Sequence, residues 1–84
     1  MQCVVYKSLK QLDYYLYVNR DEELRRIPVG LKQLLGRLQK VLELELDSTR
    51  VLAQADVEQV IRQIEVQGYY LQMPASPGAE LPVA

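Results

Sequence analysis

The most constraining feature of this sequence is a pair of short apolar runs near its start. Residues 3–6 read Cys-Val-Val-Tyr and residues 14–18 read Tyr-Tyr-Leu-Tyr-Val, which is β-branched or aromatic composition in runs too short for helices. The short connection between them predicts an antiparallel hairpin of strands 3–8 and 14–18. Because neither run alternates apolar with polar residues, we expect both faces of the hairpin to be covered, at the centre of a layered structure.

Two later segments have the period of amphipathic helices. Pro28 suits the first turn of the first helix. The apolar positions of this helix are Leu31, Leu34, Leu35 and Leu38. Gly36 offers an earlier end to this helix. In the second, the apolar positions are Val57, Val60, Ile61 and Ile64. Asp56 is its predicted N-cap, and Gly68 lies where a left-handed C-cap belongs.

Two further strands complete the pattern. Between the helices, residues 41–46 alternate apolar side chains with glutamates, which predicts a strand that buries one face and lies at or near a sheet edge. Residues 69–73 predict a fourth strand directly after the second helix. The predicted order is therefore ββαβαβ, a single compact α/β domain over residues 1–73.

The length of 84 residues allows one domain. The last eleven residues hold three prolines and a glycine without periodicity, so residues 74–84 are expected to form a mobile tail. A body this small buries only about 60% of its chain surface, and dimerisation is one way to cover more. A homodimer is therefore one predicted state of the protein.

Several of these segments together resemble the YcgL family of small bacterial proteins. The resemblance covers residues 3–74 and is carried by Cys-Val-Val-Tyr-Lys-Ser at 3–8, Tyr-Leu-Tyr-Val at 15–18, Arg-Ile-Pro at 26–28, Ala-Asp-Val-Glu at 55–58 and Gln-Gly-Tyr-Tyr-Leu-Gln-Met-Pro at 67–74. It implies a compact α/β/α sandwich and a cytoplasmic protein of proteobacteria. It carries over no catalytic or binding residue.

The composition excludes several kinds of active site. The chain has no His and one Cys, so it holds no Ser-His-Asp or Cys-His nucleophile pair, no His-ligated metal and no internal disulfide. Cys3 lies in an apolar run and is predicted to be buried and inert. The glycines at 30 and 36 flank a lysine but lack the spacing of a phosphate-binding loop. We therefore expect a non-catalytic protein with no cofactor and no metal.

Nothing in the sequence predicts a membrane-spanning helix or a secretory signal. The apolar start meets Lys7 too soon for a secretory signal, and no window approaches the roughly 18 apolar residues of a spanning helix. A small extracellular domain would be stapled by disulfides, which this chain cannot form within itself. A cytoplasmic location is the expectation.

Charge is unevenly distributed, although the net charge is −1. Residues 1–42 carry eight basic and four acidic side chains, and residues 43–84 carry two basic and seven acidic ones. Such polarity would steer an anionic partner, while scattered solvated charges explain it as simply. The candidate surface for an anionic partner consists of Lys7, Lys10, Arg25 and Arg26.

The tyrosines and a row of carboxylates each have a structural and a functional interpretation. Six tyrosines fall on predicted strands one, two and four, and exposed rings on a sheet can stack RNA bases. Packed rings are favoured, because the element order differs from that of RNA-recognition modules. Glu43, Glu45 and Asp47 share one strand face, where Mg²⁺ or Ca²⁺ is conceivable. Charges that protect a sheet edge from association are the favoured interpretation.

The sequence thus predicts a small cytoplasmic interaction module with a macromolecular partner. A protein partner is favoured over RNA, because the chain is not basic overall. The alternative is an RNA-associated accessory factor, for example one linked to RNA processing, that uses the basic first half of the chain. Retention on immobilised RNA that falls steeply with salt would distinguish the alternative.

Overall fold

The structure is a computed structural model and describes residues 1–47, 49 and 56–73. Its elements are β1 (Gln2–Ser8), β2 (Tyr15–Asn19), α1 (Val29–Leu35), β3 (Leu38–Glu45), α2 (Val57–Gln67) and β4 (Tyr70–Gln72). The predicted order ββαβαβ is confirmed. The tail predicted over residues 74–84 lies outside the described residues.

The four strands form one antiparallel sheet in the order β3-β1-β2-β4. The hairpin of β1 and β2 therefore occupies the centre, as its two unbroken apolar runs predicted. Successive side chains of a strand point to opposite faces, so a central strand covered on both sides has no polar positions to alternate with. Two separate hydrophobic clusters lie on the two faces of the sheet.

One cluster packs the sheet against α2. Its buried members are Cys3, Leu46, Val57, Val60 and Ile64. The Asp56 side chain accepts a hydrogen bond of 3.0 Å from the Glu58 N–H, and Gly68 ends the helix with φ 94°. Both predicted caps of α2 are confirmed. The predicted burial of Cys3 is confirmed as well, and burial raises the pKa of its thiol to about 11.

The other cluster packs the sheet against α1. Its buried members are Val4, Leu16, Val18, Ile27 and Leu35. The helix ends at Gly36, which has φ 66° and whose N–H donates to the Lys32 carbonyl. The leucine period predicts a helix that reaches Leu38, but Leu38 opens β3 opposite Ser8. The earlier stop offered by Gly36 is confirmed, because a residue with positive φ cannot continue a right-handed helix.

β3 is an edge strand, as predicted, but it is longer than its alternating pattern indicated. It begins at Leu38 rather than residue 41, and its pairing with β1 shifts register between Val5 and Tyr6. Val5 is opposite Leu42 and Tyr6 is opposite Lys40, so Val41 is the extra residue of a β-bulge. The bulge interrupts the alternation, which is why the segment before it does not have the period of a strand.

Candidate partner-binding surface

A buried hydroxyl group fixes the turn that joins β1 to β2. The Ser8 Oγ donates a hydrogen bond to the Leu35 carbonyl at the end of α1 and accepts hydrogen bonds from the backbone N–H groups of Lys10 and Gln11 at 3.1 and 2.8 Å. The Ser8 N–H donates to the Tyr14 carbonyl at 3.0 Å, which closes the turn. The turn is thus anchored to the sheet and to α1.

Two leucines project from this anchored turn. The side chain of Leu12 is 82% exposed and that of Leu9 is 52% exposed. The backbone of Leu9 is held by a 2.9 Å hydrogen bond from its N–H to the Arg37 carbonyl. A single exposed leucine needs no explanation, but two leucines on one anchored turn form a small apolar surface.

A concave site lies next to the leucines. It has a volume of about 190 Å³ and is lined by Lys7, Ser8, Leu9, Leu12, Asp13 and Tyr15. The backbone at Asp13 adopts φ 64°, which turns the chain back into β2. We call Lys7, Leu9, Lys10 and Leu12 the hairpin-end surface.

The two lysines of the hairpin-end surface have no carboxylate partner among the described residues. Lys7 lies on β1 opposite Tyr15 and is half-buried. The Nζ of Lys10 approaches the Gln33 carbonyl at 3.5 Å, and the stem of its side chain packs over Gly36. Neither lysine forms an ion pair in the described residues, although the Asp13 carboxylate lines the concave site together with Lys7. Cations beside apolar side chains suit a ligand that combines negative charge with apolar groups.

The structure places the other two candidate cations, Arg25 and Arg26, at the opposite end of the sheet. The segment 20–26 leaves β2 beside Gln2, at the start of β1, whereas Lys7 lies near the end of that strand. Lys7 lines the concave site, whereas the side chain of Lys10, from the same turn, packs over Gly36 beside α1, and the four cations do not form one patch. Anion binding by these residues stays a prediction.

Arg26 has a structural task that the sequence did not reveal. One of its guanidinium nitrogens donates to the Val66 carbonyl at 2.9 Å and the other to the Glu65 carbonyl at 3.5 Å, at the end of α2. Glu22 lies 3.5 Å from the same guanidinium. A cation at a helix C-terminus satisfies carbonyls that have no partner within the helix. These contacts join residues about forty positions apart, so no local pattern could predict them.

Arg25 is also held within its own segment. Its Nε donates to the Glu22 carbonyl at 3.3 Å, and its guanidinium also donates to the Asp21 carbonyl. Both bonds stabilise the turn of residues 20–26. Arg25 and Arg26 are therefore less available to an external anion than Lys7 and Lys10.

A larger cleft lies at this opposite end of the sheet. It has a volume of about 320 Å³ and is lined by Met1, Asn19, Asp21, Glu22, Arg26, Ile64 and Glu65. Three of these residues carry carboxylates, and the guanidinium of the one basic side chain lies 3.5 Å from Glu22 and also bonds helix carbonyls. The cleft is therefore acidic and does not suit an anionic partner.

The carboxylates of β3 are bound to cations of the protein itself. Glu43 forms an ion pair with Lys40 and lies 3.8 Å from the Arg20 Nε, and the Lys40 hydrogen bond holds the pKa of the Glu43 carboxyl below its usual value. The Glu45 carboxylate accepts hydrogen bonds from the N-terminal ammonium at 2.6 Å and from the Gln2 side-chain amide at 2.5 Å. Within residues 1–47, 49 and 56–73, no three acidic, His or Cys side chains are arranged to hold a metal ion.

All six tyrosines are half-buried, and helices lie over both faces of the sheet that carries them. The rings of Tyr17 and Tyr70 meet edge to face with centroids 5.9 Å apart, and the Tyr17 hydroxyl lies 3.2 Å from the Gln72 side-chain oxygen. This is the packed arrangement that the favoured interpretation predicts. The described residues also include no helix long and apolar enough to cross a membrane.

The fold and its surfaces define a small mixed α/β domain, in which two helices enclose a four-stranded antiparallel sheet. The chain belongs to the YcgL family, whose domain model matches residues 3–75. The resemblance found in the sequence is therefore confirmed.

Curated relatives match over most of the chain. Protein YcgL of Escherichia fergusonii is 42% identical over 77 residues, which are 92% of this chain and 79% of that protein. A YcgL domain-containing protein of Pseudomonas aeruginosa is 46% identical over 78 residues, which are 93% of this chain and 78% of that protein. A YcgL domain-containing protein of Stutzerimonas stutzeri is 44% identical over 72 residues, which are 86% of this chain and 74% of that protein.

Proposed function

We propose that this YcgL-family protein is a non-catalytic, cytoplasmic interaction domain that binds an acidic, partly apolar segment of a partner protein at the hairpin-end surface. The observation that supports this most is the exposure of Leu9 and Leu12 on a hydrogen-bonded turn that also carries two lysines without an ion-pair partner in the described part of the chain. The site needs no cofactor for this function.

The absence of nucleophile chemistry supports a binding role over a catalytic one. The chain has no His to activate a hydroxyl, and the Ser8 hydroxyl is already engaged with three backbone groups. The Cys3 thiol is buried, and its pKa of about 11 keeps it protonated at neutral pH. Neither group can act as a nucleophile on an external substrate in this arrangement.

The composition of the hairpin-end surface indicates the chemistry of the partner. Burial of exposed leucines is favourable by roughly 25 cal/mol per Å² of apolar area, and this term selects apolar side chains in the partner. The lysines add attraction for carboxylates and raise the rate of encounter, an effect that weakens with salt. An acidic segment with leucine-like side chains satisfies both terms.

RNA remains the alternative partner of this surface. The lysines could contact phosphates, but the leucines form no favourable contact with them. Arg25 and Arg26 lie at the other end of the sheet and donate hydrogen bonds to backbone carbonyls there. The half-buried tyrosines offer no open platform for stacking. A protein partner therefore accounts for more of the surface.

Capture from a lysate of the native cells tests the proposal when the wild-type protein is compared with surface variants. We expect Leu12→Asp and Lys7→Glu each to reduce retention of the specific partner at least about tenfold, because each removes or opposes more than about 1.4 kcal/mol of binding free energy. The measurement is quantitative mass spectrometry of the retained proteins after treatment with ribonuclease.

Two matched controls are available elsewhere on the molecule. Val66 is 74% exposed on α2 and Lys32 is exposed on α1, so Val66→Asp and Lys32→Glu repeat the same chemical changes away from the surface. Both controls should retain the partner as the wild type does. Equal retention by all four variants would refute the proposal, and so would loss of the partner on ribonuclease treatment, which indicates RNA.

A further inference from the structure

The outer edge of β3 is long, exposed and partly apolar. Six of its eight residues are exposed, among them Val41 at 40% and Leu42 at 48%. Within the described part of the chain, β3 has a strand neighbour on one side only, which is β1. The other sheet edge, β4, has three residues. An exposed edge with apolar side chains is a template for pairing with another strand. Charges such as Glu43 and Glu45 protect the edge from most strands, but not from a strand that meets them with opposite charges.

The hydrogen bonds around β1 show which backbone groups of β3 face this open edge. The Leu9 N–H donates to the Arg37 carbonyl, and the Leu46 N–H donates to the Met1 carbonyl. Odd-numbered positions of β1 and its flanks therefore direct their backbone polar groups toward β3. The β3 residues opposite odd-numbered positions of β1 direct their backbone N–H and C=O groups toward β1. The β3 residues opposite even-numbered positions direct these groups toward the open edge, because the two classes alternate in an antiparallel ladder.

The register then identifies the outward-facing residues of β3. The positions opposite even-numbered residues of β1 are Leu38, Lys40, Glu43 and Glu45. The step from Lys40 to Glu43 is three residues, although outward positions of a regular strand lie two apart. The β-bulge at Val41 supplies the extra residue.

This odd step makes the edge complementary to itself. In a regular strand, outward positions lie two apart, so the twofold axis of a symmetric antiparallel pair passes through a residue. That residue, for example Lys40, is then opposite its own copy. The bulge allows a twofold axis between Val41 and Leu42. Lys40 of one copy is then opposite Glu43 of the other, and Leu38 is opposite Glu45, each in a hydrogen-bonded pair.

Charge distinguishes this register from the symmetric registers centred on Lys40 or on Glu43. A pairing centred on Lys40 puts two lysines opposite each other, and one centred on Glu43 puts two glutamates opposite each other. Directly opposed like charges destabilise a strand pair, whereas opposed unlike charges stabilise it. The register through the bulge pairs unlike charges twice and also brings the exposed Val41 and Leu42 of both copies together at the axis.

We propose that two copies of this chain associate through β3 in this register and form a continuous eight-stranded sheet. Lys40 and Glu43, which pair with each other within one chain, exchange partners across the axis, so that each charge remains paired. The inference uses no residue of the hairpin-end surface and does not depend on the proposed function.

Charge reversal tests the register directly. In the symmetric dimer each substitution acts twice, so Lys40→Glu and Glu43→Lys alone should each raise the dimer Kd by about tenfold or more. The double variant Lys40→Glu/Glu43→Lys restores opposite charges and should restore the dimer. The measurement is the mass of the protein by sedimentation equilibrium over a range of concentrations, with circular dichroism to verify that each variant is folded.

Lys32→Glu is the control, because it makes the same charge change at an exposed site on α1. Its Kd should equal that of the wild type. A second measurement fixes the register: in a mixture of Val41→Cys and Leu42→Cys chains, oxidation should produce the mixed disulfide-linked dimer. A wild-type protein that is monomeric at every concentration would overturn the proposal, and so would a dimer that Lys40→Glu leaves unchanged.

Discussion

Replacement of Leu16 by alanine is expected to lower the free energy of unfolding by about 2–5 kcal/mol, the usual cost of a cavity in a packed core. Leu16 is fully buried on the central strand β2, in the cluster that packs the sheet against α1. Since domains are stable by only about 5–15 kcal/mol, this loss removes a large part of the total. Urea denaturation followed by circular dichroism measures it.

The chain contains a matched control for this substitution. Leu12→Ala removes the same atoms from a side chain that is mostly in solvent, so the free energy of unfolding should change by no more than about 0.5 kcal/mol. A loss below about 1 kcal/mol for Leu16→Ala would contradict the placement of β2 between two covered faces.

The second large effect is expected at Gly68, the C-cap of α2. Its φ of 94° is unfavourable for any residue with a Cβ, and a Cβ built there would lie 2.5 Å from the Cβ of Arg26. We expect Gly68→Ala to cost roughly 2–3 kcal/mol, from the backbone conformation and from displacement of the Arg26 side chain that bonds the α2 carbonyls. Thermal and urea unfolding both measure this cost.

Gly30→Ala provides the contrast, because Gly30 is helical and a Cβ there would meet no atom within 4 Å. This substitution should raise the free energy of unfolding by up to about 1 kcal/mol, since alanine favours a helix more than glycine does. Equal effects of the two substitutions would show that Gly68 is not required in the left-handed conformation.

The fold was predictable where the determinants are local. The two apolar runs indicated a doubly covered hairpin, and the caps at Asp56 and Gly68 set the bounds of α2. These features depend on the backbone preferences and periodicity of neighbouring residues. Each was confirmed by the structure, and together with the ββαβαβ order they define the sandwich.

The beginning of β3 was not predictable in the same way. The alternation that indicates a strand starts after the bulge, so residues 38–40 resembled the end of a leucine-striped helix. Pairing with β1 and the stop at Gly36 decide the outcome, and the pairing involves residues some thirty positions away. A bulge leaves no local signal that distinguishes it from a helix end.

The candidate surface was predictable only in part. Lys7 and Lys10 lie on the hairpin, so their placement at the same end of the sheet follows from the local chain. Arg25 and Arg26 follow β2, which ends at the other side of the sheet, and their bonds to carbonyls depend on the tertiary fold. The exposure of Leu9 and Leu12 also depends on how the turn is anchored by Ser8. Apolar residues in a connection do not by themselves indicate an exposed surface.

The hairpin-end surface is the proposed binding site for the partner protein. Its most direct test is the amide NMR spectrum of the isotopically labelled protein during titration with the partner recovered by capture. The largest chemical-shift changes are predicted within residues 7–15, and they should be absent in Leu12→Asp at the same concentrations. Changes centred instead on the acidic cleft of residues 19–26, with residues 7–15 unaffected, would contradict the claim.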